Sequence, residues 1–280
     1  MLWALLAFNA LMMKGEGWVR INQLGYLPQA TKVAVLMSNQ PTTVDSFQLI
    51  NAFTGKVAYT SNQVQAMGAM GNMKATFRLR FSAFTQPGTY YIKVGQSRSE
   101  IFPINGQVYK GTSDFVLNYM RQQRCGWNPY IQDSCHQKDA RIKYHPTKEG
   151  QHIDVRGGWH DAADLLQYTP TSANAIYQML FAYQQNPSAF TDHYQANGMP
   201  GANGIPDIID EIYWGLDWLD RMNPAKGELY NQIADDRDHV AMKLPNYDPA
   251  DYGWGKNQDR PVYFVDGKPQ QRGKFMNATM

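Results

Sequence analysis

Residues 20 to about 105 carry short runs in which apolar and polar positions alternate. Lys32 to Met37 is a β-branched, apolar run, and Ser46 to Ile50 sets Phe47 and Leu49 two apart. Thr76 to Phe81 puts Phe77, Leu79 and Phe81 on one face and Thr76, Arg78 and Arg80 on the other. Gln86-Pro87-Gly88 reads as a turn, after which Tyr90, Ile92 and Val94 alternate again and Glu100 to Ile104 closes the set. A period of two, broken by Gly, Pro and Asn clusters, predicts an antiparallel sandwich. No histidine occurs before His136, so this half is expected to brace the second half of the chain rather than to do chemistry.

The period changes after Ser113. Val116, Tyr119 and Met120 have helical spacing, with Ser113 as the expected N-cap. Ala173, Ile176, Tyr177, Leu180 and Phe181 follow i, i+3, i+4, i+7, i+8, and Ile205, Ile208, Ile209, Ile212, Leu216 and Leu219 do much the same, with Pro206 suited to the first turn. A strand-rich module therefore hands over to a helix-rich one near 105–112. The stretches between these helices are long and rich in Gly, Pro, Asp and aromatics, which is where binding groups sit on a helical scaffold.

Leu2 to Met13 is apolar. At about twelve residues it is short of the roughly 20 needed to span a bilayer, and it has the length of a signal-peptide core without the basic start. The expectation is an export signal over residues 1–17, and hence a secreted or periplasmic protein. The alternative is a short N-terminal helix. No other stretch is a membrane-span candidate.

Composition narrows the class. Of 280 residues, 43% are hydrophobic and 18% charged, which suits a packed core. A formal net charge of +2 with no basic run argues against a nucleic-acid partner. Seventeen Tyr and seven Trp are compatible with surfaces that stack on sugar rings, although most such residues serve as core.

The candidate chemistry centres on Gly157-Gly158-Trp159-His160-Asp161-Ala162-Ala163-Asp164. On a helical turn, two carboxylates three residues apart lie on one face and can hold a water from two sides. One can then act as a general base. An inverting glycosidase needs this on one face of the sugar and a protonated acid about 6.5–9.5 Å away on the other. The competing reading makes one aspartate a helix cap and the other a solvated charge. Cys125 and Cys135 are the only cysteines, with His136 beside the second. In an exported protein the default is a disulfide, whereas two thiolates with nearby histidines can make a tetrahedral zinc site. Trp159, Tyr168, Tyr252 and Trp254 are candidate stacking platforms, while Trp214 and Trp218, four apart, read as core. Asp210-Glu211 reads as a helix-surface or buried hydrogen-bonding pair rather than a calcium site.

Two stretches carry a resemblance. Arg20-Ile21-Asn22-Gln23-Leu24-Gly25-Tyr26-Leu27-Pro28 resembles the start of the immunoglobulin-like domain that precedes many catalytic domains of glycoside hydrolase family 9. Gly157 to Asp164, continuing through Tyr168, resembles that family's catalytic-aspartate motif, with Ala163 where glycine is usual. Gly204-Ile205-Pro206-Asp207-Ile208-Ile209-Asp210-Glu211 and Tyr263-Phe264-Val265-Asp266-Gly267-Lys268-Pro269 extend the likeness.

The resemblance implies a multidomain β + α protein. An Ig-like β-sandwich over 18–106 would precede the N-terminal part of an (α/α)6 catalytic domain over 107–280. It implies hydrolysis of β-1,4-glucosidic bonds in cellulose or a related β-glucan by inversion, in a monomeric endoglucanase-like enzyme. Asp164 would be the base and Asp161 its helper. Cys125, Cys135, His136 and His160 would hold a structural zinc that pins the catalytic loop. Arg237 and His239 would line the cleft with Trp159, Tyr168 and Trp254. Calcium is a further possibility for the family, with no site placed. Twelve helices with short connections need roughly 200 residues, more than 107–280 offers. The barrel is therefore expected to be incomplete, the acid glutamate to lie beyond Met280, and this chain alone to be inactive. Competing expectations are a glycan-binding fragment without catalysis, or a hydrolase of another β-linked glycan such as xyloglucan, mixed-linkage glucan or a glucosamine polymer.

Overall fold

A computed structural model describes residues 17–239, 242–256 and 259–265. The apolar stretch Leu2–Met13, with most of the expected signal segment, lies outside the described residues, as do Asp266–Met280. The chain folds as two compact units that divide between Lys110 and Gly111.

The first unit is a sandwich of β1 (Gly17–Arg20), β2 (Val33–Ser38), β3 (Phe47–Asn51), β4 (Val57–Ser61), β5 (Val64–Met70), β6 (Met73–Arg80), β7 (Gly88–Val94), β8 (Ser97–Arg98) and β9 (Phe102–Ile104). One sheet runs β1-β2-β6-β5, and the other β4-β3-β7-β8 with β9 added to β7. The ladders between these strands are all antiparallel, and Tyr26 adds an isolated parallel bridge to Ile104. Alternation sets the burial: Ala34 and Leu36 of β2, Phe77 and Leu79 of β6, and Tyr90, Ile92 and Val94 of β7 point into one core with Phe47, Leu49, Phe81 and Phe102. Each large side chain buried in this way is worth about 1.5–3 kcal/mol. Thr76 departs from the expected outward face. It is buried, and its hydroxyl donates to the Gly68 carbonyl at 2.8 Å.

The Asn-Gln-Leu-Gly-Tyr segment locks this unit. Gly25 has φ +104°, and a Cβ there would sit 2.3 Å from the Pro103 carbonyl oxygen, so only glycine fits. That approach lets Tyr26 N–H donate to Pro103 O at 3.0 Å. The Tyr26 hydroxyl donates to Val33 O and accepts from Asn22 N–H, at 2.8 and 2.9 Å.

The second unit holds three helices among the described residues, α1 (Thr112–Gln122), α2 (Thr169–Gln185) and α3 (Asp207–Arg221). It also holds short strands: β10 (Trp127–Asn128), β11 (Asp133–Ser134), β12 (Arg141–Lys143), β13 (Gln167–Tyr168), β14 (Tyr230–Ile233) and β15 (Pro261–Phe264). The last four form a sheet ordered β12-β15-β14-β13, in which β12 and β15 are parallel. Three helices are fewer than an (α/α)6 barrel takes, and the described residues do not make that barrel.

Both expected helix starts shift. The α1 N-cap is Gly111 at φ +77°, a conformation glycine adopts at little cost. Ser113 instead lies inside α1 and donates to Ala189 O at 2.5 Å. Pro206 sits at the N-cap of α3, one position ahead of the first turn. The buried face of α3 is wider than the apolar series, and Asp210 and Glu211 take the buried one of their two expected places. Ile208, Ile212 and Trp218 are buried, but Asp207, Asp210, Glu211 and Gly215 complete the face, and Leu216 is exposed. On α2 only Ile176 of the apolar series is buried, whereas Tyr177, Leu180 and Phe181 are exposed.

Candidate functional site

Chain reversal at two glycines presents the candidate loop. Gly157 and Gly158 take φ +109° and +70°, and a Cβ on Gly158 would meet the Trp218 ring at 2.5 Å. The loop then pairs with the exit from α1: Cys125 N–H donates to Gly158 O at 2.9 Å and His160 N–H to Gln123 O at 2.8 Å. Asp161 N–H donates to Leu166 O at 2.8 Å. Asp161 and Asp164 therefore lie on a bend ahead of β13, not on the helical turn expected from their spacing.

The two carboxylates have different surroundings. Asp164 is the more enclosed. His239 Nε2 lies 2.7 Å from its Oδ2, and its Oδ1 is a buried acceptor with no donor among the described residues. Asp236 Oδ1 is 3.4 Å from the other nitrogen of His239. Asp161 has its carboxyl pKa raised, first by desolvation and then by the neighbouring Asp164 charge, against a hydrogen bond from Thr171 and the pull of His239. Neighbouring carboxyls with unequal surroundings are a mark of candidate acid–base sites.

His160, one residue before Asp161, turns the other way. Cys125, Cys135, His136 and His160 bring four ligand atoms within 4.8 Å of one another. Cys135 Sγ is 3.9 Å from Cys125 Sγ and from His160 Nε2, and Cys125 Sγ is 3.6 Å from His136 Nδ1. Both cysteines are free. An ion bound tetrahedrally at about 2.3 Å from sulfur and 2.0–2.1 Å from nitrogen spaces sulfurs about 3.8 Å apart and sulfur from nitrogen about 3.6 Å. The four residues fit such an ion. Burial raises the Cys125 thiol pKa, whereas the Cys125 hydrogen bond lowers that of Cys135. Arg260 Nη2 donates to Cys125 Sγ at 3.4 Å, which favours a thiolate there.

Arg260 also ties this cluster to the carboxylate loop. It is buried and pairs with Asp139 at 2.6 Å, donates to Gln167 Oε1 at 2.6 Å and reaches the Leu165 carbonyl, next to Asp164. Asp238 meets the same loop from another side, accepting from Leu165 N–H at 3.3 Å and the Tyr252 hydroxyl at 2.9 Å.

The expected stacking platforms are corrected in part. Trp159 is 4% exposed: its indole N–H donates to Glu211 Oε1 at 2.7 Å and its ring packs on Gly215. Burial of the indole N–H demands an acceptor, and α3 supplies Glu211, which also takes a bidentate pair from Arg124 at 3.1 and 2.7 Å. Tyr168 and Tyr252 are buried together, with the ring of Trp254 tilted 6.3 Å from Tyr252. Arg237 donates its guanidinium N–H groups to Asp235 and to the Tyr252 carbonyl and stays partly exposed. His239 stays at the carboxylates, and Trp254 remains half-buried. Trp218 is core, as its spacing suggested. Sequence reasoning does not single out Asp236, Asp238, Asp248, Lys243 or Arg260. The run Asp235-Asp236-Arg237-Asp238-His239 and the Pro-, Asp- and aromatic-rich segment Tyr247–Trp254 are the local signals there.

The family model described as glycosyl hydrolase family 9 matches residues 109–279, and that of the cellulase N-terminal Ig-like domain matches 14–99. A cellodextrinase of Butyrivibrio fibrisolvens is 28% identical over 82% of this chain and 42% of its own length. A xyloglucan-specific endo-β-1,4-glucanase of Bacteroides ovatus is 29% identical over 77% of this chain and 38% of its own. The solved structure of a metagenome-derived family 9 endoglucanase superposes with a TM-score of 0.70 at 30% identity. That match covers 88% of this chain and 46% of that one. The chain thus spans about two fifths of the length of these curated relatives.

Proposed function

The chain belongs to glycosyl hydrolase family 9, and from that premise we propose that it carries the water-activating side of an inverting β-1,4-glucan hydrolase. The observation that carries this reading is Asp164: one oxygen lies against His239 and the other is a buried acceptor without a donor among the described residues. We infer that a water donating to Asp164 Oδ1 is shared with Asp161, whose carboxyl feels the Asp164 charge. As the water attacks the anomeric carbon, Asp164 takes its proton, and Asp161 holds the water's second proton and so its orientation. We assign the acid that protonates the leaving oxygen to no residue of this chain.

The scaffold we infer is an Ig-like sandwich followed by part of an (α/α)6 barrel, in a secreted or periplasmic monomer. Cys125, Cys135, His136 and His160 would hold a structural zinc. A bound zinc would supply fixed charge and geometry and no reaction step, and its ligand His160 would pin the backbone next to Asp161. The spacing of the two sulfurs and two nitrogens supports this over a disulfide. The relatives act, by their names, on cellodextrins and xyloglucan, so the substrate class we propose is β-1,4-glucan without a choice of side branches.

The test has two arms. The purified chain is titrated calorimetrically with cello-oligosaccharides and xyloglucan oligosaccharides and assayed for reducing-end release; we expect binding without turnover. A longer protein containing this chain is then followed by proton NMR during hydrolysis, where the α-anomer should appear first. A β-anomer first, or full activity after Asp164→Asn, would defeat the mechanism. Turnover by the chain alone would overturn the missing-acid reading.

A further inference from the structure

His136 is held from both sides of its ring. Its Nδ1 faces Cys125 Sγ at 3.6 Å, within the cluster of four ligand atoms. Its Nε2 faces the Asp248 carboxylate at 3.2 Å. The two contacts belong to residues far apart in the chain, since Asp248 lies 112 positions after His136. Asp248 is itself fixed. Lys243 Nζ lies 2.7 Å from its Oδ1 and 2.5 Å from Asp238 Oδ1, and Ala250 N–H donates to Asp248 Oδ1 at 3.0 Å. The side chains of Lys243, Asp238 and Asp248 are 7%, 0% and 9% exposed, so these are interior contacts.

A neutral histidine carries one ring proton, and the group that accepts it decides which nitrogen remains free to ligate. A carboxylate on Nε2 holds the proton there, leaves the Nδ1 lone pair facing the two sulfurs, and makes that nitrogen more basic. A carboxylate alone in the interior would be costly, and Lys243 offsets that cost while leaving Oδ2 to His136. Lys243 also faces Asp238, which accepts from Leu165 N–H beside the carboxylate loop. The Asp248 bracket is thus anchored to the segment that carries Asp164.

We propose that Asp248 is the outer-sphere carboxylate of a metal centre at Cys125, Cys135, His136 and His160, and that it selects the Nδ1-ligating form of His136 with Lys243 as its anchor. This rests on the reading of the cluster as a metal centre. Asp248 touches no ligand ion and is a positioning residue, so its loss should change how well and how symmetrically the metal is held.

The measurement is zinc affinity by chelator competition on the 280-residue chain, together with the absorption spectrum of its cobalt(II) form. Wild type should bind one zinc, and its cobalt form should show thiolate charge-transfer and tetrahedral ligand-field bands. Asp248→Ala should lower zinc affinity about 10–100-fold and shift the cobalt ligand-field bands. Asp248→Asn keeps an acceptor for Nε2–H without the charge. It should recover the spectrum and part of the affinity, and it guards against misfolding of the alanine variant. Wild-type affinity and spectrum in Asp248→Ala would overturn the proposal and leave the metal centre standing. Absence of zinc binding by the wild type would remove both.

Discussion

His239 Nε2 lies 2.7 Å from Asp164 Oδ2, so an imidazole from the segment after β14 meets a carboxylate from the loop before β13. This contact distinguishes the two aspartates, because among the described residues Asp161 has no such imidazole contact and lies by Thr171, whose hydroxyl donates to the Tyr168 carbonyl at 3.2 Å. The Asp161 carboxyl pKa is raised by desolvation and by the Asp164 charge, and His239 works in the opposite direction. Asp164→Asn removes the like charge and should bring the Asp161 pKa down toward the ordinary carboxylate value. His239→Gln removes the counter-charge and should push it further up. A carbon-13 carboxyl titration by NMR reads both signs.

The same shift has a consequence for stability. A carboxyl whose folded-state pKa is raised binds its proton more tightly folded than unfolded. The net effect is a stability that falls as pH rises from the unfolded pKa through the folded one. Asp164→Asn should flatten that fall in denaturant midpoints measured across the acid range. An unchanged slope would mean that desolvation alone sets the Asp161 shift.

Periodicity explains what the sequence discloses. In β2, β6 and β7 one face is buried and the other meets water, so alternation is visible. In β5 nearly every residue is exposed, and β14 and β15 are buried throughout, so neither kind shows a period. The Asp161–Asp164 pair is legible because a short motif holds it. The Cys/His set is legible only through family likeness, because its members come from separate loops. Asp248 and Arg260 are not legible at all, since nothing local marks a residue that acts on a partner more than 100 positions away. Trp159 and Tyr168 mislead because an aromatic beside a carboxylate motif does not disclose whether it faces a cleft or the core.

Removing the metal proposed for the Cys/His cluster should be visible in the thiols. The two cysteines are unbonded and buried. Without reductant, both should react with a thiol reagent in denaturant. In the native state they should react only after a strong chelator is added, and zinc should restore protection. Absence of thiol reactivity in denaturant would mean a disulfide instead.

Gly215 places the Trp159 ring against α3. A Cβ at Gly215 would sit 2.1 Å from Trp159 Cη2. Both the ring and the helix backbone are rigid, so Gly215→Ala should cost about 1–3 kcal/mol through overpacking even though alanine favours helix. Trp159→Phe should cost about 1–3 kcal/mol for a different reason, because the buried Glu211 loses a donor. Urea unfolding of the two variants measures both costs, and neutrality of Gly215→Ala would contradict the packing.

Tyr177 and Phe181 stand one turn apart on the outer face of α2, 62% and 49% exposed, with their rings stacked 6.4 Å apart. Leu180 is exposed beside them. An amphipathic helix gains its stability by burying such a stripe, and a stripe left in water favours self-association at high concentration. The double substitution Tyr177→Ser and Phe181→Ser removes apolar surface that contributes little to the fold of this chain. Its unfolding free energy should change by no more than about 0.5–1 kcal/mol, the size of a surface substitution together with the lower helix propensity of serine. Light scattering and sedimentation velocity should show less association than in the wild-type chain. A large loss of stability would mean that these rings already have a partner within the unit, whereas unchanged association would move the sticky surface elsewhere.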